Sequence, residues 1–292
     1  MRYCAGKKTE GDCMYSVTKR IKMIKQPRGG YIKRTDFEMI EGNDCIELNA
    51  EENIHANLVG LTVDYMTRFM MGASIENAFQ ISLIGARNIK DEKKAKNILS
   101  KVKGLDDESI ICACKLSGYD VCYRAGIEFY KPVSEIKPNK ETIQNISSMV
   151  KRGMAFWKKY GPIVKDGFTF EGGYTKIVSN GDGDYLTQDT LWDFKVSKKE
   201  INSQQTLQLL MYYIMGIHSE NKEFQNIKKL GIFNPRKNKV YLLKIGEIGQ
   251  DIIDKVSHDV IGYGLTDHEI KDELIRCGIS ETMANLYIKV KA

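Results

Sequence analysis

The residue types able to do chemistry gather in one stretch of the chain. Asp182 and Asp184 stand in Gly181-Asp182-Gly183-Asp184-Tyr185-Leu186, Asp193 and Lys195 in Leu191-Trp192-Asp193-Phe194-Lys195, and Gln204, Gln208 and Tyr212 in the apolar segment that follows. Side chains alternate along a strand, so Asp193 and Lys195 leave one face and Trp192 and Phe194 the other, which sets a carboxylate beside an ammonium. The connection Thr187-Gln188-Asp189-Thr190 is short enough for antiparallel pairing that brings Asp184 near Asp193. Two carboxylates and a backbone carbonyl, that of Phe194, make a hard oxygen site suited to Mg²⁺ or Mn²⁺, whose remaining positions stay hydrated and open to a phosphate. Such an ion polarises a phosphoryl oxygen and lowers the pKa of bound water, while Lys195 orients that water or offsets developing negative charge. Phosphodiester hydrolysis needs these roles filled.

The elements that must position these groups follow from punctuation and periodicity. Phe168 to Glu171, Tyr174 to Val178, Asp184 to Leu186 and Leu191 to Val196 are short aromatic or β-branched runs separated by Gly, Asn and Asp, the pattern of a strand meander. A helix from about Ser203 to Met215 follows, with Gln204, Gln208 and Tyr212 along one face and Leu207, Leu210 and Ile214 on the opposing stripe. Leu230 to Phe233 and Val240 to Leu243 flank Asn234-Pro235-Arg236-Lys237-Asn238 as a hairpin, and Ile252 to Ile261 reads as a closing helix. Upstream, residues 49–160 are nearly all helical in texture. Asn49 with Glu52 is expected to cap a helix carrying Ile54, Leu58, Leu61, Tyr65 and Phe69, and Asn139 a long one ending at Gly161-Pro162. The expected organisation is a basic, irregular or short-stranded lead-in (1–48), a helical region (49–162), a catalytic core (163–262) and a small two-helix tail (263–292), in an α/β (α+β) chain.

Within this frame the residues resemble the PD-(D/E)XK nuclease superfamily, in its RecB-like branch, over about residues 168–245. Asp184 matches the first motif acid, Asp193-Phe194-Lys195 the D/E-x-K element, and Gln208-Leu209-Leu210-Met211-Tyr212 the Q-x-x-x-Y helix. The resemblance implies a restriction-endonuclease-like αβββαβ core with a mixed central sheet. It also implies metal-dependent hydrolysis of DNA, with Gln208 and Tyr212 supporting the site or contacting DNA. Members of this branch bring a further residue from an upstream helix, commonly the His of G-x-x-x-H; Gly60-Leu61-Thr62-Val63-Asp64 has that spacing with Asp64 in the His place, an acid that coordinates metal directly or through water. Members with an iron–sulfur cluster place several cysteines after the Q-x-x-x-Y helix, whereas only Cys277 follows it here, so no cluster is expected. Asp182 shares a face with Asp184 and competes with it, although the turn-like Gly181 and Gly183 favour Asp184. Glu171 is a lesser candidate that also reads as a solvent-facing strand residue. His55 and His218 read as surface or packing residues.

Composition sets the outer bounds. With 42% hydrophobic and 28% charged residues, the chain reads as an ordinary folded globule, and no apolar run approaches the roughly 20 residues a membrane span needs. Its charged beginning has no secretory apolar segment, and seven cysteines argue for reduced thiols, so a cytoplasmic location is expected. Cys4 and Cys13 suggest a small zinc site only weakly in the absence of a C-x-x-C pair, and Cys112 and Cys114 point to different sides of a helix. The net charge of +6 is modest, but the lead-in concentrates cations, among them Lys19, Arg20, Lys22 and Arg28, which with Gln204 are candidate contacts to a polyphosphate. A solvated basic face is the plain alternative. The expected partner is single- or double-stranded DNA, with RNA also open. The competing function is a catalytically inactive nuclease-fold module that binds nucleic acid or protein.

Overall fold

The computed structural model describes residues 15–290. In chain order the elements are β1 (Tyr15–Ser16), α1 (Val17–Met23), β2 (Glu38–Glu41), α2 (Ala56–Met70), α3 (Ile75–Ala78), α4 (Gln80–Asn88), α5 (Glu92–Leu99), α6 (Asp107–Ser117), α7 (Val121–Arg124) and α8 (Lys140–Tyr160). They continue as β3 (Lys165–Phe168), β4 (Val178–Asn180), β5 (Gly183–Leu186), β6 (Thr190–Phe194), α9 (Ser203–His218), β7 (Lys229–Asn234), β8 (Lys239–Lys244), α10 (Gln250–Lys255), α11 (Asp267–Arg276) and α12 (Glu281–Val290). The chain is mixed α/β, 52% helical, around a six-stranded mixed sheet.

That sheet runs in the order β2-β8-β7-β6-β5-β3, and among the described residues its only parallel pair is β6–β7, joined by the crossover helix α9. Its two faces bury different side chains, as strand alternation requires. Leu186, Leu191, Leu230, Ile232 and Leu243 pack with Leu207, Leu210 and Ile214 of α9. Tyr185, Trp192, Phe233 and Val240 pack on the other face against Phe156 and Trp157 of α8, with the Phe156 and Phe233 rings stacked at 4.1 Å. Trp192 lies over the backbone of Gly231, where a Cβ would stand 2.2 Å from the indole, so that position requires glycine. A separate core of Val59, Val63, Met66, Ile110, Leu116, Ile146 and Met149 holds α2, α6 and the first half of α8 together.

Several local expectations need correction. The helix that bears Asp64 begins at Ala56 and is capped by His55 Nδ1 accepting from the Asn57 amide at 3.2 Å. Asn49 does not cap it; its amide donates to Asn145 Oδ1 on α8 at 2.7 Å. Beside the short strands β1 and β2 and irregular connections, the described part of the lead-in also contains a helix, α1, capped by Ser16, whose Val17 and Ile21 enter the main core beside α9. In the run Tyr174–Val178, only Val178 reaches a strand, β4, which pairs parallel with β1 outside the large sheet. The tail helices α11 and α12 bury Ile270, Leu274, Ala284 and Tyr287 in the core around α9. Cys4 and Cys13 lie outside the described residues. Cys112 and Cys114 are both buried in α6, and burial pushes the Cys114 thiol up to about 12.

Candidate functional site

Antiparallel β5 and β6 pair through Tyr185↔Trp192 and Leu186↔Leu191, which leaves Asp184 opposite the end of β6. There Asp184 Oδ2 accepts the Phe194 amide at 2.9 Å. Asp193 projects to the same face as Leu191, the face covered by α9, and is 2% exposed. Its Oδ1 accepts the Lys195 ammonium at 2.8 Å, whereas its Oδ2 is buried with no hydrogen-bond partner. Lys195 keeps a quarter of its side chain exposed and anchors its own amide on the Phe233 carbonyl at 2.9 Å, continuing the β6–β7 ladder one residue further. Asp182 is exposed in the loop before β5; the Tyr174 hydroxyl pins that loop by donating to the Gly181 carbonyl at 3.1 Å.

The electrostatics follow from crowding two carboxylates, one buried and one half-buried, in a site with little access to solvent. Burial, then the charge of Asp193, pushes Asp184 up to about 7 against the pull of Lys195 and the Phe194 amide. Burial alone would depress Lys195, but Asp193 and Asp184 outweigh it and raise the ammonium above its usual range. On α9, Tyr212 is 5% exposed and its phenol is held well above its usual range by burial and by the charges of Asp193 and Asp184. Gln208 donates to the Tyr212 hydroxyl at 2.9 Å, so this pair backs the acids from the helix side. Gln204 is exposed in the first turn of the same helix.

Asp64 reaches this cluster from α2. It accepts from the Tyr185 hydroxyl and from Arg68 Nε at 3.2 Å, and its charge acts on both Asp184 and Lys195. Arg68 continues to Asp166 on β3 at 3.0 Å and lies 4.6 Å from the centre of the Tyr185 ring. Sequence reasoning missed Arg68 and Tyr185. The four-residue spacing of Asp64 and Arg68 on one helix was an available signal for the first; Tyr185 reads only as a core aromatic until its hydroxyl is located.

Among the cationic candidates, Lys19, Lys22 and Arg28 are exposed. Arg20 requires correction as a nucleic-acid contact. It is fully buried, donates to the Val260 and Asp259 carbonyls at 2.8 and 2.9 Å, and is ion-paired with Glu273 of α11. The reason is its position on α1 beside Val17 and Ile21, where the helix turns its inner face to the core.

A cation would find two carboxylates here, one oxygen of which lacks any partner, and a lysine that balances their charge. Among the described residues no group of three or more His, Cys, Asp or Glu side chains is set to hold a metal ion. Two surface concavities lie elsewhere, one of about 550 Å³ between Tyr160 and Lys228 and one of about 430 Å³ between β2 and α8. Comparison with protein-family models, with curated proteins and with solved structures finds no match.

Proposed function

We propose that this chain is a divalent-metal-dependent phosphodiester hydrolase acting on DNA, built as a RecB-like PD-(D/E)XK nuclease. The single observation that carries the reading is the buried, unpartnered Oδ2 of Asp193, held beside Asp184 and salt-bridged Lys195. An unsatisfied buried carboxylate oxygen costs stability, and a cation bound at Asp193 would recover that cost. The run α8-β3-β5-β6-α9-β7 supports the αβββαβ core, with α8 as its first helix.

In this reading Asp184, Asp193 and the Phe194 carbonyl would hold Mg²⁺ or Mn²⁺, and Asp64, which accepts from Tyr185 and Arg68, would add its negative charge beside them. The ion supplies Lewis-acid polarisation of the phosphate and a more acidic bound water. Lys195 holds its positive charge at the neck of the site and offsets the negative charge that develops on phosphorus oxygens. Tyr212 and Gln208 fix the α9 wall against which a backbone phosphate rests. Gln204, Lys19, Lys22 and Arg28 offer contacts further along the strand.

The test is a panel of linear and circular duplex DNA, single-stranded DNA and RNA with Mg²⁺, Mn²⁺ or EDTA. Cleavage is expected with metal on at least one DNA and is lost in Asp193→Ala and Lys195→Ala. Absence of cleavage on every substrate, with salt-sensitive binding retained, would instead favour the inactive nucleic-acid-binding module.

A further inference from the structure

Glycine inside a helix costs backbone entropy and forgoes packing, so each one calls for a reason. Among the described residues four glycines lie inside α-helices: Gly60 in α2, Gly85 in α4, Gly153 in α8 and Gly216 in α9. Three are explained by what a Cβ would strike. At Gly85 it would stand 2.0 Å from the Tyr119 carbonyl oxygen, at Gly153 2.8 Å from Thr67 Cγ2 of α2, and at Gly216 2.1 Å from the Phe224 ring. Gly60 differs. Its φ is not left-handed, and the nearest heavy atom to an added Cβ would be Val196 Cβ at 3.8 Å, an ordinary van der Waals separation. Alanine would fit there and would favour the helix, so neither packing nor backbone conformation requires glycine at position 60.

What lies beside Gly60 is the candidate site. Asp64 follows it by one turn along the same face of α2, and the charge of Asp64 acts on Asp184 and Lys195. Val196, which an added Cβ would touch, is the next residue after Lys195. Gly60, Lys195 and Val196 are each half-buried, so this flank of the site reaches solvent. Lys198, a little further along the same connection to α9, is exposed. Its ammonium donates to the Ala50 carbonyl at 2.9 Å, which leaves the rest of its N–H groups for a ligand. The bare face of α2 therefore lies against a segment that carries an ammonium on either side of Val196 in the chain.

We propose that the missing Cβ of Gly60 makes room for the sugar–phosphate backbone of the bound DNA strand: the deoxyribose next to the scissile phosphate lies against Gly60 and Val196, and Lys198 takes the phosphate beyond it. The proposal rests on the nuclease reading above and deepens it by giving the strand a path on the α2 side of the site, opposite α9. The chemistry of the two surfaces matches. A nucleic-acid backbone alternates anionic phosphates with sugars whose C–H faces are apolar, and here two ammonium groups flank an apolar surface from which one side chain is missing. Phosphates are held by ammonium charge, and a close approach of a ligand to a helix backbone is a use for which glycine is suited.

Thermal unfolding in EDTA, and binding of fluorescent single-stranded and duplex oligonucleotides in Ca²⁺, are measured for the full chain as wild type, Gly60→Ala, Gly60→Leu and Lys198→Ala. Gly60→Ala is expected to raise the melting temperature by about 1–2 °C, because alanine is the better helix residue and finds room. It is nevertheless expected to weaken DNA binding by about five- to a hundredfold, the effect of forcing a methyl group into a fitted contact. Gly60→Leu weakens binding further. Both variants keep any rise in melting temperature that Ca²⁺ gives wild type, because neither alters Asp184 or Asp193. In the Mg²⁺ reaction the loss appears as a higher KM for DNA. Lys198→Ala lowers the slope of log affinity against log salt by about one. A Gly60→Ala protein that melts below wild type would overturn the proposal by showing that packing requires glycine there. One that melts higher but binds and cleaves DNA like wild type would overturn it by showing that no substrate approaches that face, and would leave the nuclease reading standing. An unchanged salt slope in Lys198→Ala would overturn the path beyond Gly60. Wild type that neither binds nor cleaves any DNA would remove the nuclease reading and the proposal together.

Discussion

Replacing Asp184 by Asn is expected to make the metal-free protein more stable at neutral pH and to abolish its stabilisation by divalent cations. Burial and the neighbouring Asp193 push Asp184 from the ordinary 3.8 to about 7. Between those two values the folded chain keeps a proton that the unfolded chain has released, so stability falls as pH rises through the window. Below it both states are protonated, and above it both are ionised and the penalty is constant. At about 1.4 kcal/mol per pH decade the gap corresponds to ~4 kcal/mol, or about 2–4 kcal/mol after screening at a site partly open to solvent. Asn keeps an oxygen for the Phe194 amide while removing the charge. With an unfolding entropy of roughly 0.6 kcal/mol/K for a chain of this size, the melting temperature at pH 8 rises by about 3–7 °C. Thermal unfolding at several pH values between 4 and 8, in EDTA and in Mg²⁺ or Ca²⁺, measures this. The wild-type profile declines across the window and is lifted by the cation; the Asp184→Asn profile is flatter, higher at pH 8 and indifferent to the cation. An Asn variant no more stable than wild type at pH 8 in EDTA, or still lifted by metal, would refute the reasoning.

Three further outcomes follow from the same geometry. Arg20→Ala strands the Glu273 carboxylate and the Val260 and Asp259 carbonyls; it should cost roughly 3–5 kcal/mol in urea unfolding and leave the salt dependence of DNA binding by folded protein unchanged. Asp64→Asn removes the charge paired with Arg68 and shared with the Asp184 cluster, and cleavage should fall about 10–100-fold; an unchanged rate would remove Asp64 from the site. Gly85→Ala places a Cβ 2.0 Å from the Tyr119 carbonyl oxygen, so it should destabilise the helical region by about 1–3 kcal/mol or more, read as a lower urea midpoint.

What could be read from the sequence was local. The alternation in Leu191-Trp192-Asp193-Phe194 places Leu191 with the α9 core and Trp192 with the α8 aromatics, as the two-residue period demands. Asp184 lies on the paired strand and Asp182 in the exposed loop before it, which separates two acids that spacing alone left in competition. What could not be read was long-range. The pairing of β2 with β8 joins residues some two hundred positions apart, and nothing in Glu38–Glu41 announces that partner. Arg20 looked like its cationic neighbours because the group that neutralises it, Glu273, comes from the far end of the chain. Asn49 looked like a cap because side chains that bond a neighbouring helix and side chains that cap their own share one chemistry. Arg68 and Tyr185 became visible at the site only when α2 and β5 were brought together around Asp64.

The most direct test of the proposed hydrolytic site is the initial rate of DNA cleavage as a function of Mg²⁺ for wild type and Asp193→Asn, on protein shown to be folded by its melting curve. The site described here predicts a saturable Mg²⁺ dependence in wild type, abolished by EDTA, and a fall on the order of a thousandfold in Asp193→Asn. Cleavage by Asp193→Asn at the wild-type rate, or undiminished in EDTA, would contradict it.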